Sequence, residues 1–303
     1  MNAQTSPRSL GTGLFAGACD AHVHVFDPKN HPYHPGRSYT PGEANCGQLE
    51  QLMRRMGMDR CVLVQPSVYG SDNRCLVSAL RHFGPDRARG VAVVDYETVT
   101  LDQLADLWNV GVRAIRVNFE AAKTAAPRDK LLVIAETAKR AKEVGMAVQL
   151  YVDTHTAVAA IERLEGENVP LILDHFAGFK CGMDRNDEAF KKLLSALGRG
   201  RVWIKLSAPC RTGSQLVDYE DLRPAAQAMI NAAPERMLWA SDWPHTGGGA
   251  DRAKRSASEI EPFRQVNDDA DFRRLRSWIG DETRLARILS ENPTEIFDFF
   301  NHP

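Results

Sequence analysis

The stretch CDAHVHVF, residues 19–26, has the alternation of a β-strand and carries two histidines separated by one residue. Because side chains alternate faces along a strand, His22 and His24 are expected to project to the same side. Two neighbouring imidazoles at a strand end can hold a metal ion or polarise a carbonyl oxygen. Near the other end of the chain, LWASDWPH, residues 238–245, places Asp242 at the end of another strand. Alone, either segment could be a chance pattern, but together, in a closed barrel, they indicate an enzyme.

Short apolar runs rich in β-branched residues alternate with longer amphipathic stretches along the chain. Runs that are apolar on both faces, such as 62–64 and 171–173, are typical of a parallel sheet covered on both sides. The eight predicted strands are Cys19–Val25, Cys61–Gln65, Gly90–Val94, Ala114–Phe119, Ala147–Val152, Leu171–His175, Val202–Leu206 and Met237–Asp242.

Between the strands, apolar residues recur at helical spacing. Gly57, Gly111 and Gly145 stand just past the ends of three of these segments, where a left-handed residue often ends a helix. The predicted helices are Cys46–Met56, Asp72–Phe83, Leu101–Val110, Pro127–Val144, Thr156–Glu165, Glu188–Leu197 and Tyr219–Ala233.

This order of elements predicts an α/β fold, a (β/α)8 TIM barrel. A doubly wound sheet is the alternative, but it usually has a Gly-rich phosphate loop after its first strand. Here Asp27-Pro28 and a loop rich in His, Pro and Tyr follow instead. Residues 1–17 are predicted to be a flexible N-terminal arm and 18–303 one barrel domain, with the tail from 253 onwards forming helices on the outside.

The bulk composition is that of a soluble globular protein, with 43% hydrophobic and 25% charged residues among 303. A formal net charge of −1 gives no reason to expect nucleic acid or an anionic membrane as a partner. No apolar run is long enough to cross a membrane, and the first 17 residues lack a secretory apolar core. Six scattered cysteines, without a C-x-x-C pair, favour reduced thiols and a cytoplasmic location.

In a barrel of this kind the carboxyl ends of the strands form the mouth of the active site. Asp174 and Lys205 lie at such ends but alternate with better candidates, so we expect them to be partners of the site residues. Three histidines and an aspartate could bind zinc with an open position for water. Alternatively, the aspartate could activate water while the histidines stabilise an oxyanion. The polar residues at predicted strand ends are His22, His24, Gln65, Ser67, Arg116, Asn118, Tyr151, Asp174, His175, Lys205, Ser207, Arg211, Asp242 and His245.

With these residues in place, the chain resembles the amidohydrolase superfamily. Within it the chain is most similar to the branch of 2-pyrone-4,6-dicarboxylate lactonases, sugar-acid lactonases and lactone isomerases. The motifs that carry the resemblance are DAHVHVF at 20–26, QPS at 65–67, IRVNF at 115–119, DH at 174–175, KLSAPCR at 205–211 and SDWPH at 241–245.

The resemblance implies a (β/α)8 barrel and attack of water on a lactone carbonyl at its mouth. Asp242 would be the general base, and His22, His24 and His175 would surround the carbonyl oxygen. The implied partner is a small carboxylated lactone, with no nucleic acid or membrane; a homo-oligomer is left open. The residues implied to bind this substrate are Ser67, Arg116, Asn118, Tyr151, Arg211 and His245.

Metal use is an open point of the resemblance. Many superfamily members bridge two metals through a lysine at the fourth strand and a histidine at the fifth, where this chain has Arg116 and Tyr151. The pyrone lactonase branch also lacks those ligands and works without metal, so the expectation is that no cofactor is required. A single zinc held by His22, His24, His175 and Asp242 is the alternative.

One departure from the family bears on the substrate. The pyrone dicarboxylate enzymes carry a second arginine after the fourth strand, whereas this chain has Ala122 there and Lys123 beside it. A lactone with one carboxylate therefore fits as well as a dicarboxylate. The expected activity is lactone hydrolysis in the catabolism of an aromatic compound or sugar acid. The alternatives are a lactone isomerase on the same scaffold and a zinc-dependent aromatic-acid decarboxylase.

Overall fold

A computed structural model describes residues 15–120, 130–247 and 255–300. Eight parallel strands follow one another around a barrel in the order β1, β3, β4, β5, β6, β7, β8, β9, and β2 pairs with β10 apart from it. The strands are β1 (Cys19–Val23), β2 (Thr40–Pro41), β3 (Arg60–Val64), β4 (Ala88–Ala92), β5 (Val112–Asn118), β6 (Ala147–Tyr151), β7 (Leu171–Leu173), β8 (Val202–Ser207), β9 (Met237–Ala240) and β10 (Ile260–Glu261).

The barrel closes between β1 and the residues that follow β9. The amide of His24 donates to the carbonyl of Trp243 at 2.9 Å, and the amide of Asp242 donates to the carbonyl of His22 at 3.1 Å. Closure therefore joins the two sequence segments that carry the histidines and the aspartate. The predicted TIM barrel is confirmed.

Helices separate most of the barrel strands, as predicted. The first begins with a capping box, in which Asn45 and Gln48 each bond the other's backbone amide, and ends at Gly57 with φ of 67°. The helices are α1 (Cys46–Met56), α2 (Arg74–Phe83), α3 (Leu101–Asn109), α4 (Lys130–Glu143), α5 (Thr154–Arg163), α6 (Glu188–Leu197), α7 (Arg223–Ala232), α8 (Asp268–Ile279), α9 (Glu282–Ala286) and α10 (Asn292–Ile296).

Two helices begin later than the sequence predicts. α2 begins at Arg74 because the Asn73 side chain is used to bond both backbone groups of Val93, which ties the helix to the end of β4. α7 begins at Arg223, where Pro224 favours a first turn, and not at Tyr219. The predicted start of α4 at Pro127 lies outside the described residues, as does most of the predicted arm.

The carboxyl-terminal tail differs from the prediction in one respect. Its helices α8 to α10 do pack on the outside, but Phe297 and Phe299 enter the amino-terminal end of the barrel and pack on Cys19, Val62 and other inward-facing residues. Phe297 is fully buried and Phe299 is 8% exposed. The two aromatic rings cover the apolar amino-terminal end of the barrel, and the free energy gained by burying them explains their position. The helical pattern of the surrounding sequence does not show that these rings face inward.

Among the described ranges, no helix is both long and apolar enough to cross a membrane. All six cysteines are described and free, with Cys19, Cys61 and Cys75 buried. Their distribution agrees with the prediction of reduced thiols.

Candidate active site

The two histidines of the first strand lie together at the carboxyl end of the barrel. They lie at and just past the end of β1, where the pairing of β1 with β3 shifts register between Asp20 and Val23. Their Nε2 atoms lie 3.3 Å apart, and His22 is fully buried while His24 is 6% exposed. The spacing seen in the sequence therefore produces a buried imidazole pair.

His175 and Asp242 complete the group from the ends of β7 and β9. Each lies two residues past its strand and has a left-handed backbone, with φ of 50° and 67°. Such strain in residues other than glycine costs about 1–3 kcal/mol and tends to occur at functional sites. The Oδ1 atom of Asp242 lies 3.7 Å from the Nε2 atoms of His22, His24 and His175 alike.

The three imidazoles are neutral at pH 7. Burial lowers the pKa of His24 to about 4, and the charge of Arg116 acts in the same direction. Burial also lowers the pKa of His175 to about 4, although Asp242 opposes it, and it lowers the pKa of His22 well below its ordinary value. The group therefore offers neutral rings around one carboxylate.

Arg211 holds the other side of this carboxylate. Its Nε and Nη2 atoms both lie 2.8 Å from Oδ2 of Asp242. Burial alone would raise the pKa of Asp242, but the charge of Arg211 lowers it well below its ordinary value. Asp242 is therefore ionised, with Oδ2 bound to Arg211 and Oδ1 turned to the imidazoles.

A second polar layer lies beneath the histidines. Oδ2 of Asp174 accepts hydrogen bonds from Arg116 at 3.2 Å and from Gln149 at 3.1 Å. Nζ of Lys205 donates to Oε1 of Gln149 at 2.7 Å and lies 3.3 Å from Nδ1 of His22. Burial lowers the pKa of Lys205 to about 8, although Asp174 opposes that shift. The expectation that Asp174 and Lys205 are partners of the site residues agrees with this geometry.

A small cavity opens above the imidazoles. Every predicted substrate-binding residue except His245 lines it, whereas Tyr39, Glu120 and Thr246 line it without having been predicted. These three come from loops, where no periodicity marks which side chain faces inward. The lining residues are His24, Tyr39, Pro66, Ser67, Arg116, Asn118, Glu120, Tyr151, His175, Arg211, Asp242 and Thr246.

His245 lies away from this cavity. Its Nε2 atom is 2.9 Å from Oδ1 of Asp268, at the first turn of α8, and its ring is 6% exposed. Arg55 of α1 lies on the other oxygen of the same carboxylate at 3.1 Å. In this arrangement His245 ties the end of β9 to the outer helices, and its predicted role in substrate binding has no support from its position.

A zinc ion is the alternative occupant of this donor set. His22, His24 and Asp242 are close enough for one ion to reach all three. A metal ligand must present a lone pair, whereas a hydrogen bond across the 3.3 Å between the Nε2 atoms of His22 and His24 places a proton on one of them. The same residues can therefore form hydrogen-bonding rings or a zinc ligand set, according to the tautomer of His22. Ala122 and Lys123 lie outside the described residues.

Comparison with known proteins agrees with this fold. The family model described as amidohydrolase matches residues 19–299. The 4-sulfomuconolactone hydrolase of Rhizobium radiobacter is 32% identical over 287 residues, covering 93% of this chain and 90% of that protein. The 2-pyrone-4,6-dicarboxylate hydrolase of Comamonas testosteroni is 34% identical over 243 residues, covering 77% and 78%.

Among solved structures, that of a probable 2-pyrone-4,6-dicarboxylic acid hydrolase from Acinetobacter baumannii, with citric acid bound, is similar along the whole barrel. Its TM-score is 0.76 at 25% identity, with 93% of this chain and 99% of that chain covered. With a family match across almost every described residue, the chain belongs to the amidohydrolase family.

Proposed function

We propose that the protein hydrolyses a carboxylated lactone, with Asp242 as the general base. The observation that carries the proposal is the position of Oδ1 of Asp242, 3.7 Å from three neutral imidazoles and open to a cavity with two arginines. The names of the relatives, both lactone hydrolases, support the same reaction class.

The reaction needs a water molecule, a base and donors for the developing charge. Water beside Oδ1 of Asp242 would attack the lactone carbonyl carbon and give its proton to that oxygen. The negative charge that forms on the carbonyl oxygen would be stabilised by N–H groups of the imidazoles that surround Asp242. When the carbon–oxygen bond of the ring breaks, the departing oxygen takes the proton from Asp242, and the product is the opened hydroxy acid or its keto form.

Two arginines are suited to the carboxylate of such a substrate. Arg116 and Arg211 line the cavity, and guanidinium groups match planar anions. The buried Nε of Arg116 has no hydrogen-bond partner within the described residues, which leaves a donor for an anion. Glu120 lines the same cavity and would repel a second carboxylate near it. We therefore propose a lactone with one carboxylate as the preferred substrate.

Hydrolysis of 2-pyrone-4,6-dicarboxylate by chelator-treated protein, followed by loss of the pyrone chromophore, tests the reaction class first. Turnover would support metal-free lactone hydrolysis. The test continues with monocarboxylated lactones and with added zinc, and failure of all of these with folded protein would reject the proposal.

Running the reaction in heavy-oxygen water separates hydrolysis from lactone isomerisation. Hydrolysis places the label in the product carboxylate, whereas acyl transfer between hydroxyl groups leaves the product unlabelled. An unlabelled lactone product would therefore replace the hydrolase proposal with the isomerase alternative.

A further inference from the structure

Lys205 is a buried charged group that the proposed reaction does not use. It is 0% exposed, at the centre of the barrel, and its Nζ lies 5.8 Å from the centre of the Phe297 ring below it. On its other side Nζ lies 3.3 Å from Nδ1 of His22. A lysine is rarely fully buried, so its contacts indicate a specific role.

The positions of the protons on His22 and His24 can be derived by starting from His24. Nδ1 of His24 lies 2.8 Å from the backbone carbonyl of Val64, and because a carbonyl only accepts, the proton of His24 is on Nδ1. Its Nε2 atom is then an acceptor. A hydrogen bond across the 3.3 Å between the two Nε2 atoms then requires His22 to be the donor, with the proton of its neutral ring on Nε2.

On its other nitrogen, His22 has two neighbours of opposite preference. With the proton on Nε2, Nδ1 of His22 is an acceptor, and the Lys205 amino group meets it in hydrogen-bond geometry. Oδ1 of Asp174 is also near Nδ1, at 3.2 Å. The carboxylate would bond a proton on Nδ1, whereas the lysine excludes one.

We propose that Lys205 is a positioning residue that holds His22 in the tautomer with its proton on Nε2. This tautomer has two consequences. It directs an N–H group toward the place of the lactone carbonyl oxygen, a consequence that rests on the proposed function. It also removes the inward lone pair that a zinc ion would need, and this second consequence is independent of any substrate.

A purely structural role for Lys205, as a buried partner of Asp174 at 3.6 Å, is the competing explanation. In that case the lysine would affect stability but not the position of the His22 proton. The tautomer separates the two explanations because it is not a measure of stability.

The first test is made on the wild-type protein. Long-range 15N–1H NMR correlation spectra of 15N-histidine-labelled, chelator-treated protein distinguish the two neutral tautomers, and the spectrum of His22→Asn assigns the signals. We expect His22 to be protonated on Nε2 and His24 on Nδ1. A His22 ring protonated on Nδ1, or one zinc ion per chain in the untreated protein bound through His22, would overturn the proposal.

The second test removes the lysine donor. In Lys205→Met the proton of His22 is free to move to Nδ1, where Oδ1 of Asp174 can accept it. Nε2 then joins that of His24 as a metal ligand. We expect zinc to bind more tightly than in wild type by about 10–100-fold, which is the size of the effect that partners of ligating histidines have on metal affinity. Competition with a chromogenic chelator measures this change.

The matched control is Lys191→Met on α6, which removes an exposed lysine and should leave zinc affinity unchanged. A folded Lys205→Met protein that binds zinc no better than this control would overturn the proposal. If Lys205→Met does not fold, the wild-type spectrum decides alone.

Turnover gives the link to the reaction. Lys205→Met should lower kcat with little change in KM, since the substrate contacts remain while the donor to the carbonyl oxygen is lost. Absence of turnover in wild type would reject the proposed function and leave the spectrum and zinc result standing. Unchanged kcat in an active, folded Lys205→Met protein would reject the positioning role in catalysis.

Discussion

The two ends of the barrel bury arginines in opposite ways. At the amino-terminal end, Arg89 donates to the backbone carbonyl of Asp298 at 2.8 Å and lies over the Phe299 ring at 4.7 Å. At the carboxyl end, Arg116 and Arg211 are bound to carboxylates that in turn lie against histidines. Similar buried charges therefore close the floor of the barrel at one end and hold the carboxylates of the site at the other. Substitutions at the floor should therefore change stability, and those at the mouth should change turnover.

The largest effect is expected from removal of the base. Asp242→Asn should lower kcat about 10²–10⁴-fold, because the amide cannot take a proton from water, while the fold is retained. Steady-state kinetics and the circular dichroism spectrum check this, with exposed Asp184→Asn as the control. Undiminished turnover would show that another group is the base.

A substitution at the amino-terminal floor of the barrel should change stability and leave turnover unchanged. Phe297→Ala should lower the free energy of unfolding by about 3–5 kcal/mol, because a fully buried ring is replaced by a cavity. kcat at a permissive temperature should stay close to wild type. Denaturant unfolding measures the change, and Phe300→Ala, at a side chain 78% exposed, is the matched control. Equal stability of the two variants would contradict the proposed floor.

The buried histidines at the mouth of the barrel should make the free energy of unfolding depend on pH. His24 and His175 have pKa values of about 4 when folded and about 6.5 in an unfolded chain. Between these values the unfolded chain binds more protons, so the stability present above pH 6.5 is lost as pH falls toward 4. Tm measured from pH 7 to pH 4.5 should fall less steeply in His24→Asn and His175→Asn than in wild type. Parallel curves would contradict the burial of neutral rings.

Strand alternation predicted the fold and most of the mouth. It turned His22, His24, Arg116 and Tyr151 to one side of their strands, and the structure places them there. The same rule, applied along the whole strand Ala147–Val152, also turns Gln149, two residues before Tyr151, to this side.

Other residues could not be found in this way. Tyr39 and Thr246 lie in loops whose path depends on contacts with distant segments, and Phe297 reaches the barrel floor although the sequence around it has an ordinary helical pattern. The tautomer of His22 depends on its contact with Lys205, which is 183 residues away in the sequence. It can therefore be inferred only from the closed barrel, which brings the two residues together.

The smallest effect is expected from substitution of Glu120, which is an exposed charge at the mouth of the barrel, among buried ones. Glu120→Gln should raise kcat/KM for 2-pyrone-4,6-dicarboxylate by about 3–5-fold, because loss of an exposed like charge is worth about 1 kcal/mol or less. A monocarboxylated lactone should show little change. The control is Glu165→Gln, an exposed carboxylate after α5 at the other end of the barrel. An equal effect on both substrates would mean that Glu120 acts on the whole cavity and not on a second carboxylate, and the preference for one carboxylate would then need another origin.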